Sequence, residues 1–138
     1  MIIMYYIKDG MSGGDMMSIA SDMIRGHTDA IILAQLMCGD SYGYEINKAI
    51  QTVTEGRYEL KEATLYTAFR RLEQAGYISS YWGDETTGAR RRYYAINDLG
   101  RNAYRQYLSD WDQARKMIDS LIKLKGGNDN DRANQNLC

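Results

Sequence analysis

Apolar residues along this chain follow three periods in succession, and each change of period marks a change of element. From Ser18 onward, Ile19, Met23, Ala30, Ile31, Leu33 and Leu36 line one stripe through about Cys38, with a polar interruption near Gly26 at Arg25, His27 and Thr28. That spacing predicts a helix ended by Gly39. Ile46, Ala49, Ile50 and Val53 recur at i, i+3, i+4 and i+7, which predicts a second helix capped by Asp40 or Ser41 and closed near Gly56. The polar link Arg57 to Lys61 leads into KEATLYTAFRRLEQAG, residues 61 to 76. There Leu65, Phe69 and Leu72 share a helix face with Ala68 and Ala75, Glu62 and Glu73 stand at the ends, and Gly76 supplies a left-handed stop.

After Gly76 the period falls to two. Tyr77 to Trp82 and Arg91 to Ile96 are rich in strand formers, and GDETTG at 83 to 88 lies between them, so the segment reads as a hairpin. The third period begins beyond Asn97 or Asp98, either of which can cap a helix. Tyr104, Tyr107, Trp111, Ala114, Ile118 and Leu121 alternate spacings of three and four, a heptad seam, and Leu108, Met117 and Ile122 widen it. So long an apolar stripe predicts a partner helix.

The polar faces carry the chemistry. Opposite Leu65 and Phe69, the third helix presents Thr64, Tyr66, Thr67, Arg70, Arg71 and Gln74, a set of hydroxyls, a phenol and guanidiniums that meet phosphates and base edges. An ordinary amphipathic surface helix would show the same two faces, so the neighbours decide. Tyr42, Gly43 and Tyr44 join the orphan N–H groups of a helix start to two phenols, which suits a phosphate, and a core tyrosine pair fits the same residues. Arg90, Arg91 and Arg92 stand on the returning arm of the hairpin; a charge run is ordinarily a solvated face, but beside a two-faced helix three arginines suit a duplex backbone. Two helices, a polar-faced third and an arginine-edged hairpin, in that order, predict a winged helix-turn-helix, an α+β, mostly helical fold with a two-stranded wing. The residues expected at DNA are Ser41, Tyr42, Tyr44, Lys61, Thr64, Tyr66, Thr67, Arg70, Arg71, Arg90, Arg91 and Arg92.

Composition narrows this further. A chain of 138 residues is one domain's worth, and its net charge of −1 means that any basic surface must be local. Its two cysteines, Cys38 and the terminal Cys138, suit a reduced compartment, and the apolar run needed for a membrane span is missing, so a cytoplasmic location is expected. One histidine, no metal-ligand cluster, no phosphate loop and no nucleophile elbow argue against an enzyme and against a metal or cofactor.

The wording SYGYEI at 41 to 46, ATLYTAFRRLEQAGYISSYWGDE at 63 to 85 and GARRRYY at 88 to 94 resembles the PadR family of bacterial transcriptional regulators over most of residues 20 to 122. The segment after the wing is similar to the family's short branch, in which one C-terminal helix makes a homodimer; this implies an interface of Tyr104, Tyr107, Trp111, Ala114, Ile118 and Leu121 and a pseudo-palindromic double-stranded operator. Asp110 and Trp111 further resemble the LmrR-like multidrug sensors of the family, which hold flat aromatic compounds between paired tryptophans. That resemblance implies a repressor released by a planar aromatic effector at Trp111, Asp110, Leu108, Tyr107 and Ile24. Arg115 departs from it, because the sensor carries an acidic residue four positions after its tryptophan. An interface anchor is the competing reading of Trp111.

The expected organisation is a disordered or non-native extension over 1–17, the DNA-binding domain over 18–96, the dimerisation helix over 97–124 and a disordered tail over 125–138. Gly13-Gly14-Asp15 can be encoded by a ribosome-binding sequence just ahead of Met17, so translation is expected to start at Met16 or Met17. The rival function, a winged helix used only to bind proteins, would require an apolar exposed face on the third helix.

Overall fold

A computed structural model describes residues 21–83 and 90–123. The expected extension 1–17, residues 84–88 of the loop and the tail 125–138 lie outside the described residues. A helical stretch over 21–25 precedes α1 (Thr28–Met37), α2 (Gly43–Val53), α3 (Glu62–Gln74), the hairpin β1 (Ile78–Trp82) and β2 (Arg92–Ile96), and α4 (Asp98–Ile122). The strands pair antiparallel in the register Ile78↔Ile96, Ser80↔Tyr94 and Trp82↔Arg92. Ser41 extends the ladder by one bridge to Tyr94. This is the winged helix-turn-helix that the order of elements predicts.

The chain divides into two compact units, Met1–Asn102 and Ala103–Cys138. In the first, α1 packs on α2, α3 and β2, and α3 packs on α2 and β1. Its core is Ile32, Leu33, Leu36, Ile46, Ile50, Leu60, Leu65, Ala68, Phe69, Leu72, Ile78 and Ile96. Phe69, 1 % exposed, stacks on Tyr94 with ring centroids 3.8 Å apart and so fixes α3 to the wing. Burying such a ring contributes about 1.5–3 kcal/mol before any stacking gain.

Helix ends follow the glycines. Gly39, Gly56 and Gly76 adopt φ of 144°, 78° and 81°, where a Cβ is strained. Asn97 caps α4: its Oδ1 accepts from the Gly100 N–H at 2.8 Å while its Nδ2 donates to the Gly76 carbonyl at 2.8 Å, so one side chain joins the end of α3 to the start of α4.

Several positions depart from the periodic reading. Ile32 rather than Ile31 is fully buried, Met23 and Cys38 are exposed, and Ala75 lies in the exposed cap of α3. Val53 is 75 % exposed, and Leu60, from the link expected to be polar, fills the core instead. The cause is Asn47, which accepts from the Leu60 N–H at 2.8 Å and donates to its carbonyl at 2.6 Å, drawing the link inward. Neither Asp40 nor Ser41 caps α2. The N-cap is Tyr42, because Ser41 spends its backbone on Tyr94 and donates its hydroxyl to Glu45 at 2.6 Å.

Candidate nucleic-acid interface

The exposed side of α3 is built from one row. Ala63, Thr67, Arg70 and Gln74 recur at i, i+4, i+7 and i+11 and are all exposed, opposite the buried Leu65, Phe69 and Leu72. Tyr66 forms one shoulder, its ring edge-on to Phe69 at 5.7 Å. Thr64 and Arg71 form the other. Gly43 lets the start of α2 come close: a Cβ there would stand 3.1 Å from both the Tyr66 hydroxyl and Leu65 Cδ2. Between α2 and α3 lies a polar hollow of about 320 Å³ lined by Tyr44, Asn47, Lys48, Gln51, Glu62 and Tyr66. Tyr44 is 70 % exposed, so of the paired tyrosines only Tyr42 packs inward, edge-on to Tyr93 at 5.3 Å.

On the far shoulder two adjoining hollows share Arg25 and Thr64. One is lined further by Ser21, Tyr58 and Lys61, the other by Thr28, Thr67 and Arg71. Both combine cations with hydroxyls, and Glu59 adds a carboxylate to the first.

The wing adds three guanidiniums, each over an aromatic ring. Arg90 lies 5.0 Å from the centroid of Trp82, Arg91 4.9 Å from Tyr42, and Arg92 5.9 Å from both Trp82 and Tyr94. Arg92 also donates to Ser80 Oγ at 2.8 Å and lies 3.7 Å from Glu73, which itself accepts from Ser80 at 2.8 Å. The Tyr81 hydroxyl donates to Asp40 at 2.6 Å, and the Tyr81 ring stacks on Tyr93.

The structure therefore brings Tyr42, Tyr44, Lys61, Thr64, Tyr66, Thr67, Arg70 and Arg90 to Arg92 to the surface formed by α2, α3 and the wing. Ser41 and Arg71 are engaged by bonds within the fold. Ser41 is buried and bonded on all sides, so it supports the start of α2 from beneath. Arg71 is clasped by Asp29 of α1 through Nε and Nη2, and that bond holds its pKa above the ordinary arginine value. Three further residues of this surface lie outside the set expected from the sequence. Ala63 is small and carries no chemical signal, although helix geometry alone puts it in the row of Thr67 and Arg70; Lys48 and Arg25 belong to helices whose sequence signal is their apolar faces.

In the second unit, α4 carries the heptad positions, with Leu108, Trp111, Met117, Ile118, Leu121 and Ile122 all exposed. Around Trp111, Asp110 accepts from Gln106 at 2.9 Å, whereas Asp112 is bonded by Lys116 at 3.0 Å and by Arg115 at 2.5 Å, which together hold its carboxyl below the usual range. Leu108, Asp110 and Trp111 thus share one helix; Ile24 lies in the stretch 21–25 of the first unit.

A polar, arginine-bearing recognition helix beside a cationic two-stranded wing defines a winged-helix DNA-binding protein. Residues 32–106 match the model of the Transcriptional regulator PadR-like family, and the chain belongs to that family. It is 42 % identical over 105 residues to an uncharacterized protein of Lysinibacillus sphaericus, covering 76 % of this chain and 96 % of that one. A transcriptional regulator from Clostridium thermocellum, Cth-833, is 50 % identical with a TM-score of 0.69, covering 75 % of this chain and 97 % of that one. A PadR family transcription regulator from Clostridium difficile R20291 is 32 % identical with a TM-score of 0.60, covering 70 % and 98 %. The family's members are transcription regulators that bind DNA and are usually dimers. Among the described residues no helix is long and apolar enough to cross a membrane.

Proposed function

We propose that this protein is a cytoplasmic repressor of the short PadR branch that dimerises through α4 and binds a pseudo-palindromic operator, one recognition helix in each half-site. The observation that carries this is the exposed α3 row of Thr67, Arg70 and Gln74 with Tyr66 at its shoulder, together with the exposed Arg90 and Arg91 of the wing. Polar and cationic groups on this face favour DNA over a protein partner. The short-branch assignment is supported by relatives covered over 97 % and 98 % of their own length. Tyr66 and Arg70 reach the major groove or its edge, and the wing reaches phosphates. Footprinting of the dimer on its own promoter region should protect two half-sites about one helical turn apart. A single protected half-site would overturn the symmetric reading.

The effector reading puts a flat aromatic molecule between Trp111 and its symmetry mate, where stacking and apolar burial contribute about 25 cal/mol per Å². Its support is that Trp111, on the heptad seam, is 40 % exposed in one chain and flanked by Leu108. A preference for cations has less support, because Asp112 is already paired with Arg115 and Lys116. Titration of planar aromatic dyes, followed by tryptophan fluorescence, tests this. Equal dye affinity in Trp111→Ala would leave Trp111 as an interface anchor.

A further inference from the structure

We infer that Trp82 and Tyr42 are positioning residues: their rings hold the wing arginines and so set the wing against the recognition helix before DNA arrives. The inference rests on the DNA-binding reading above. All three guanidiniums lie within 6 Å of an aromatic centroid, the range in which a cation is attracted to the ring face. The Tyr42 ring is itself anchored, whereas Trp82, 53 % exposed, meets the arginines from its place on β1. Tyr42 packs edge-on against Tyr93, Tyr93 stacks on Tyr81, and Tyr81 is bonded to Asp40. Arg92 reaches the stack of Tyr94 on Phe69, so a continuous path runs from Phe69 in α3 through Tyr94, Arg92 and Trp82 to Arg90.

The chemistry explains the choice of rings. An exposed arginine has several rotatable bonds, and ordering them on binding weakens the complex. A carboxylate could order the side chain, but it would balance the charge, as Asp29 does at Arg71, and would compete with phosphate. An aromatic face uses the guanidinium's π surface and leaves its in-plane N–H groups able to bond a phosphate. Arg92 shows both devices, with Glu73 at 3.7 Å and two ring centroids at 5.9 Å.

The test compares Trp82→Leu with Trp82→Phe in operator binding across a range of salt. Trp82→Leu should weaken binding about three- to tenfold with an unchanged salt slope, since no charge is lost, and Trp82→Phe should restore most of the affinity. Arg90→Ala should instead lower the slope. In the free protein, replacing Arg90 and Arg92 by Ala should shift tryptophan emission in the wild-type chain but not in Trp82→Phe, where Trp111 is the remaining emitter. Equal operator affinity of wild type and Trp82→Leu would overturn the inference, as would emission indifferent to the arginines. A wild-type chain that binds no DNA, while its emission still responds to the arginines, would instead overturn the function on which it rests.

Discussion

Arg71 of α3 clasps Asp29 of α1 across 42 positions of sequence, Nε lying 3.0 Å from Oδ2, and this bond distinguishes it from its neighbour Arg70. Arg70 projects from the exposed row, whereas Arg71 has its charge balanced and its fork occupied. Arg71→Ala should therefore cost about 0–1 kcal/mol of stability, as exposed ion pairs do, and leave the salt slope of operator binding nearly unchanged. Arg91→Ala should lower that slope by roughly one unit per site and weaken all sequences about equally. Salt titrations of both variants decide it; a slope lost with Arg71 would mean that DNA displaces Asp29.

Gly100, the buried residue of α4, touches the β1 side of the fold so closely that a Cβ would overlap the Tyr77 carbonyl and stand 2.7 Å from Ile96 Cγ1. Backbone cannot give way as a flexible side chain can. Gly100→Ala should destabilise the first unit by more than the roughly 1 kcal/mol that alanine ordinarily gains over glycine within a helix, with the Asn97 cap distorted as a consequence. Thermal melting would show this, and an unchanged or raised midpoint would refute the close packing.

How much of this was legible from the sequence depends on the range of the interaction. The two faces of α3, the hairpin and the heptads of α4 are written in residues three, four or two apart, and periodicity finds them. Leu60 was hidden because its burial comes from Asn47, thirteen positions away. Ser41 looked like a cap because the serine precedes a helix, but Tyr94 claims its backbone from the wing. The bond of Arg71 to Asp29 is hidden from periodicity because only the folded chain brings the two together. The arginine cluster was visible as charge; that each guanidinium lies on a ring was not, since Tyr42 lies 49 positions before Arg91.

The bond from Tyr81 to Asp40 gives a pH dependence of known sign. Hydrogen bonding to the carboxylate, with some burial and its negative charge adding, raises the Tyr81 pKa above its ordinary value of 10.0. A raised folded-state pKa means that the stabilisation is fully present below the unfolded value and is lost as pH rises through the folded one. The stability of wild type relative to Tyr81→Phe should thus be constant from neutral pH to about 10 and decline above it. Urea midpoints of both proteins at neutral and alkaline pH measure this. A difference that does not change with pH would show that the bond contributes nothing in solution.

The remaining prediction concerns the seam on α4. Over its 25 residues this helix leaves Ile118, Leu121 and Ile122 at 49, 63 and 72 % exposure in the single chain, a stripe that water solvates poorly. In the proposed dimer, heptad spacing gives such a stripe a mate of the same kind, and a two-fold axis makes each residue meet its own neighbourhood in the second chain. Replacing Tyr107 and Ile118 by Asp would bring four carboxylates into that dry seam, two from each chain, at a cost of several kcal/mol. The double variant should sediment as a folded monomer, with the thermal transition of the first unit retained, and should bind one half-site weakly in place of a whole operator. A variant that still sediments as a dimer would move the interface off this stripe, and with it the placement of Trp111 near the axis.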